Sequence, residues 1–170
     1  AVLLKVIVLK GSFGLLSVCS KGGETGKNGP EQSDIYNTYV PGKTRNCAWA
    51  VVNNGGQQWT VHYTGICRVA LAGAAGGSSA FSSGGSGIAT QSEISLTAGQ
   101  VLNIVVGQAG QTNTSTSQFL TGGLGGGGSF VYTGPTGVGS VLIAAGGGGG
   151  GLSSSTNVVA GNISVANFIT

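Results

Sequence analysis

The stretch FLTGGLGGGGSFVYTGPTGVGSVLIAAGGGGGG, residues 119–151, decides how the chain is read. Two glycine runs, 125–128 and 146–151, bracket two apolar segments of β character, 129–133 and 140–145. Glycine loses more backbone freedom on ordering than any other residue. A run of six is therefore either a flexible linker or a segment packed where a side chain would clash. The flanks favour packing, because VLIAA leads straight into the second run without polar padding. The shape expected is the extended helix of three residues per turn, the polyproline II form. It has no internal hydrogen bonds, so its N–H and C=O groups must find partners on neighbouring segments. The stretch then reads as a hairpin, turning at Thr133-Gly134-Pro135-Thr136-Gly137, framed by packed glycine. Residues 73–77 are its expected neighbour.

Outward from this stretch, composition excludes several classes. Of 170 residues, 35 are Gly and only 3 are Pro, which rules out a collagen repeat. Mean hydropathy is +0.29 and charged residues number 7 basic and 4 acidic, unlike the highly charged composition of disordered chains. After Arg68 the only charged residue is Glu93. So bare a surface needs a cover, and partner subunits or glycans are the expected ones. Asn113-Thr-Ser and Asn162-Ile-Ser are candidate glycosylation sequons. The scattered Lys and Arg do not make a nucleic-acid face. No apolar run reaches the ~20 residues of a membrane helix. The chain begins at Ala1, which fits a processed mature start, and the compartment expected is extracellular or cell surface.

Three cysteines, Cys19, Cys47 and Cys67, allow one internal disulfide and leave one thiol. Cys19–Cys47 is the candidate pair among three pairings, with Cys67 buried in a strand.

Three parts are expected. Residues 1–10, AVLLKVIVLK, form an apolar strand buried on both faces. It either joins its own chain's sheet or completes a neighbour's by strand addition. Its assembly residues would be Val2, Leu4, Val6, Ile7, Val8 and Leu9. Residues 11–72 are β-rich with a long polar loop over 21–45. Within them, 46–53 and 57–63 form a hairpin across Asn53-Asn54-Gly55-Gly56. After the turn Thr64-Gly65, 66–72 is a further strand. Residues 73–170 are the glycine-rich part. There 91–97 turns at Ala98-Gly99 into 101–106, 107–117 is a loop, and 161–170 is a last strand candidate. No amphipathic helix of ten residues is present. The fold class is all-β: an antiparallel β-sandwich-like framework with polyglycine II-type segments packed against it.

The order LAGAAGG (71–77), EISLTAGQVLNIVVGQAG (93–110), GGGGSFVY (125–132) and VLIAAGGGGG (141–150) resembles a known family. It is similar to the glycine-rich domain in the extracellular part of the anaplastic lymphoma kinase and leukocyte tyrosine kinase receptors, and to glycine-rich domains of phage tail-fibre tips. The resemblance covers about residues 59–152. It implies a bundle of polyglycine II helices beside a β-framework, and functions ranging from cytokine or host-surface binding to structural work.

Chemistry is sparsely provided for. Gly123 to Gly128 satisfies G-x-G-x-x-G, but a strand follows it where a phosphate site needs a helix N-terminus. His62 and Asp34 are single, and no nucleophile elbow accompanies them. The cysteines lack C-x-x-C spacing for zinc. Trp49, Trp59, Tyr36, Tyr39 and Tyr63 read as core rather than as a sugar platform. No enzyme and no cofactor are expected. The function expected is a structural subunit of an extracellular filament or surface assembly, a homo-oligomer polymerising through its N-terminal strand. The alternative is an adhesin or receptor-type binding module using loops 73–87 and 107–120.

Overall fold

A computed structural model describes residues 3–8, 16–19, 51–53, 56–116, 122–134 and 140–152. These residues form nine strands and no helix. They are β1 (Leu3–Val8), β2 (Leu16–Cys19), β3 (Val51–Asn53), β4 (Gly56–Thr60), β5 (Gly65–Ala72), β6 (Ala89–Leu96), β7 (Val101–Val105), β8 (Ser129–Thr133) and β9 (Val141–Ala145). They make two antiparallel sheets. Sheet A runs β2-β1-β5-β6 and sheet B runs β3-β4-β7-β8-β9.

Alternation places one face of each sheet on a common core. Sheet A contributes Cys67, Val69, Leu71 and Leu96, and sheet B contributes Trp59, Leu102, Ile104, Val131, Ile143 and Ala145. Trp59 is therefore core, as read from the sequence. The hairpin across 53–56 forms with Asn53 opposite Gly56. The hairpin in the opening stretch also forms, with Ser129 opposite Ala145 and a register shift at Val131/Tyr132.

The turns expected at Thr64-Gly65 and Ala98-Gly99 lie where the chain passes from one sheet to the other. Ala98-Gly99 does not fold 101–105 back onto β6, because β6 lies in sheet A and β7 in sheet B. The chain changes layer there, as it does between β4 and β5. The two corners are bonded together. Gly99 donates to the Val61 carbonyl at 2.7 Å, Val61 donates to that of Gln100 at 2.8 Å, and Ala98 donates to Thr64 Oγ1 at 3.0 Å. Gly99 adopts φ +85°, which is why glycine stands there. His62 belongs to this exposed corner rather than to a strand face, since β4 ends at Thr60.

Five glycine-containing segments continue the strands. The first (73–78) follows β5, the second (84–88) precedes β6, the third (107–113) follows β7, the fourth (122–128) precedes β8, and the fifth (146–151) follows β9. They hydrogen-bond in seven pairings, each with two bonds three residues apart. The first donates to the second through Gly73→Ile88 and Gly76→Gly85, and to the fourth through Ala74→Gly127 and Gly77→Leu124. It accepts from the fifth through Gly148→Ala74 and Gly151→Gly77, and from the third through Gly110→Ala75 and Asn113→Ser78. Outer pairings join second to fifth, fifth to fourth and fourth to third, all at 2.8–3.0 Å. Three residues is the period of a polyproline II helix, where a strand repeats every two. Residues 107–113 of the expected loop over 107–117 take part in this network, while residue 117 lies outside the described residues.

Register passes unbroken from sheet to network. Ala72 faces Ala89 in the β5–β6 ladder, and Gly73 bonds Ile88 one step on. Val105 faces Phe130, and Gln108 accepts from Gly127 three steps on. Ser129 ties the junction. Its Oγ donates to the Ala72 carbonyl at 2.7 Å and accepts from the Gly107 amide at 3.0 Å. Sheet A and sheet B are thus stitched where the backbone period changes.

Glycine stands where another backbone comes within reach of a Cβ, and not simply where neighbours are most numerous: the first segment bonds four others and still carries Ala74 and Ala75. The fifth segment has bonded neighbours on three sides and is glycine throughout. A Cβ at Gly147 would land on the Gly126 carbonyl, and one at Gly148 on that of Gly85. The third segment bonds two neighbours and carries glycine at 107 and 110 alone. A Cβ at Gly107 would meet the Gly127 carbonyl, and one at Gly110 that of Leu124.

Candidate functional site at the end of the glycine segments

The far end of the glycine network gathers the two loops named as binding candidates. Ser79 organises it. Its Oγ accepts from the amides of Phe81 at 3.0 Å and Ser82 at 2.9 Å, and donates to the Leu152 carbonyl at 2.6 Å. Leu152 in turn donates to Ser82 Oγ at 3.0 Å. These bonds fix the bend over 79–82, whose apolar side chain, Phe81, stays outside. Phe81 is 43% exposed, Leu152 44% and Leu124 59%. The third segment joins here, with Asn113 donating to the Ser78 carbonyl at 2.9 Å and Ser78 donating to Thr112 Oγ1 at 3.3 Å. Asn113, the first candidate sequon, is half-buried, and its Oδ1 accepts from the Ser115 amide at 3.0 Å.

The assembly strand sits elsewhere. β1 lies between β2 and β5, with Val6 opposite Val69 and Val8 opposite Cys67. Leu4 and Ile7 share that strand, opposite Val18 and Arg68. Val2 and Leu9 lie outside the described residues. β1 is therefore seated in its own chain's sheet, the first of the two arrangements the sequence left open. Among the described residues its ladder with β5 covers Lys5 to Val8, opposite Ala70 to Cys67.

Cys19 ends β2, while Cys47 lies outside the described residues, as does Asn162. Cys67 is a fully buried free thiol in β5, and burial pushes its pKa above the ordinary 9.0. Among the described residues, no three His, Cys, Asp or Glu side chains group as a metal site. Arg68 pairs with Glu93 at 3.0 Å across β5 and β6 on an exposed face. No described helix is long and apolar enough to cross a membrane.

Sequence reasoning missed the serine hub. Its signal was present as SSAFSS (78–83), hydroxyl residues bracketing one aromatic, but which backbone groups the hydroxyls meet depends on the distant Leu152.

No known family profile matches the chain, and no curated protein matches it.

Proposed function

We propose that the chain is a structural subunit of an extracellular filament or surface assembly. Its glycine segments form a polyglycine II-type bundle, and subunits join by exchanging the β1–β2 hairpin. The observation that carries this reading is the seating of β1. The β1–β2 hairpin forms one edge of sheet A, and β2 is separated from β3 by the 31 residues 20–50. A connection of that length can reach up to ~100 Å, so the hairpin can pair with β5 of its own or of the next subunit. A head-to-tail exchange that does not close produces a fibre. The charge-poor body after Arg68 supports burial against neighbours or under glycans. The likeness of residues 59–152 to extracellular glycine-rich domains supports the same compartment.

Cysteines placed at Lys5 and Ala70, which are register partners, test the exchange. After oxidation, exchange gives a covalent ladder of oligomers on a denaturing gel. Cross-linked monomer alone, from a preparation at high protein concentration, rejects it.

A second reading, a binding module of adhesin or receptor type, is favoured by one specific observation. The described parts of loops 73–87 and 107–120, the latter up to residue 116, meet at Ser78 and Asn113, beside exposed Phe81, Leu124 and Leu152. Substituting Phe81 and Leu124 by Ser removes ligand binding under this reading and leaves polymerisation untouched. Binding that survives the double substitution rejects it.

A further inference from the structure

Sheet B turns an uncharged face to solvent. β3, β4, β7, β8 and β9 contain no Asp, Glu, Lys or Arg. Alternation sends Gln57, Trp59, Leu102, Ile104 and Val131 inward, so their neighbours face out. The registers arrange these in rows across the strands. Gln58 faces Asn103, Asn103 faces Tyr132, and Tyr132 faces Val141. In the next row Val105 faces Phe130 and Phe130 faces Ala144. Phe130 and Tyr132 are therefore two rings on one strand face, roughly 7 Å apart along β8. Phe130 is 40% exposed and Tyr132 is half-buried.

The polar side chains in this face are pre-oriented. Gln58 Nε2 donates to Asn103 Oδ1 at 2.9 Å, and Asn103 Nδ2 donates to the Gly134 carbonyl at 2.8 Å. Gln58 thus lies two strands from Tyr132 in the same row, with its amide held by Asn103.

We infer that the outward face of sheet B binds a neutral polysaccharide, stacking sugar rings on Phe130 and Tyr132 and hydrogen-bonding hydroxyls through Gln58 and Thr60. Sugar rings combine an apolar face of C–H groups with a rim of hydroxyls. Aromatic planes match the first and side-chain amides and hydroxyls the second. The absence of charge on all five strands selects against sulfated or carboxylated chains, which would lose hydration without a cationic partner. β4, β7 and β8 are adjacent in sheet B, so their outward rows run on from strand to strand and suit an extended polymer laid across them. The site lies apart from β1 and does not depend on subunit exchange.

Calorimetric titration of the full chain tests this with hexasaccharides of β-1,4-glucose, β-1,4-N-acetylglucosamine and β-1,3-glucose, and with a heparin hexasaccharide as the charged control. At least one neutral sugar binds and heparin does not. Phe130→Ser with Tyr132→Ser weakens binding at least about tenfold, and Gln58→Ala weakens it by a smaller factor. Both variants keep the wild-type melting profile within a few degrees. Wild-type protein that binds none of the three neutral sugars overturns the inference. So does heparin binding of equal strength, or unchanged affinity in the folded Phe130/Tyr132 variant. Heat of self-dilution that disappears in that variant, with no sugar binding, would instead assign the face to a second copy of the chain and equally overturn it.

Discussion

Gly126 donates its amide to the carbonyl of Gly148 at 2.8 Å, in the same register that sets Ser129 opposite Ala145 three residues away on each strand. The β8–β9 ladder therefore does not stop where side chains stop. It changes period from two to three and continues through backbone alone. Glycine is required because the partners approach on several sides at once, and each substitution tests a particular approach.

Gly76 and Gly125 separate packing from composition. A Cβ at Gly76 would land on the Gly149 carbonyl, a backbone atom held by the network. At Gly125 the nearest atom is the Gly148 oxygen at 3.7 Å, an ordinary contact. Gly76→Ala lowers stability by about 3 kcal/mol or more, at the upper end of overpacking effects. Gly125→Ala is neutral to stabilising by up to about 1 kcal/mol, since it restricts the unfolded chain. Denaturant midpoints of the two variants check this. Equal midpoints would mean that the segments are slack.

Ser129→Ala removes the hydroxyl that joins Ala72 of sheet A to Gly107 after β7. Ser129 is 1% exposed, so water does not replace the lost partners. The expected loss is about 1–3 kcal/mol, the range for leaving buried polar groups unpaired. Thermal melting reads it, and an unchanged melting temperature would remove the junction from the account.

Gly99 is glycine for a different reason. No atom lies within 4 Å of a Cβ there, but its φ is +85°. Gly99→Ala destabilises by about 1 kcal/mol and Gly99→Asn by less, because Asn tolerates the left-handed region. Equal effects of Ala and Asn in chemical denaturation contradict this.

Cys67 links stability to alkaline pH. Burial raises its folded pKa above 9.0. The native state therefore holds the thiol proton where the unfolded state has released it. The contribution is intact below pH 9.0 and declines as pH rises from there towards the folded pKa. Cys67→Ala flattens that decline when stability is measured from pH 8 to 10. In the native wild-type protein, a thiol reagent reacts with Cys67 only at the rate of unfolding, and immediate reaction would contradict its burial.

Much of this architecture is legible in the sequence, with a limit that has a physical origin. Segments such as SFVYT and VLIAA announce strands by β-branched and aromatic residues, and Ser129–Thr133 falls where its sequence places it. Strand partners are another matter. The Ala98-Gly99 turn is local chemistry and was legible. That it changes layer instead of closing a hairpin depends on Val61, nearly forty residues earlier. Glycine runs point to packing, and residues 73–77 do lie against the fourth and fifth segments. The third segment was harder to see, because it needs glycine only at 107 and 110 and fills the other positions with Gln, Ala and Thr. The candidate end site was legible as two loops, while their meeting at Ser78 and Asn113 rests on non-local bonds.

Amide hydrogen exchange at Gly77, Gly126, Gly148 and Gly151 tests the central claim most directly. Each amide is donated to a carbonyl of a neighbouring segment at 2.8–2.9 Å. If the glycine segments are a hydrogen-bonded continuation of the sheets, these amides are protected to the level of those in β7 and β8 and open only with global unfolding. Exchange at the rate of an unstructured glycine chain, alongside protected strands, would contradict the account.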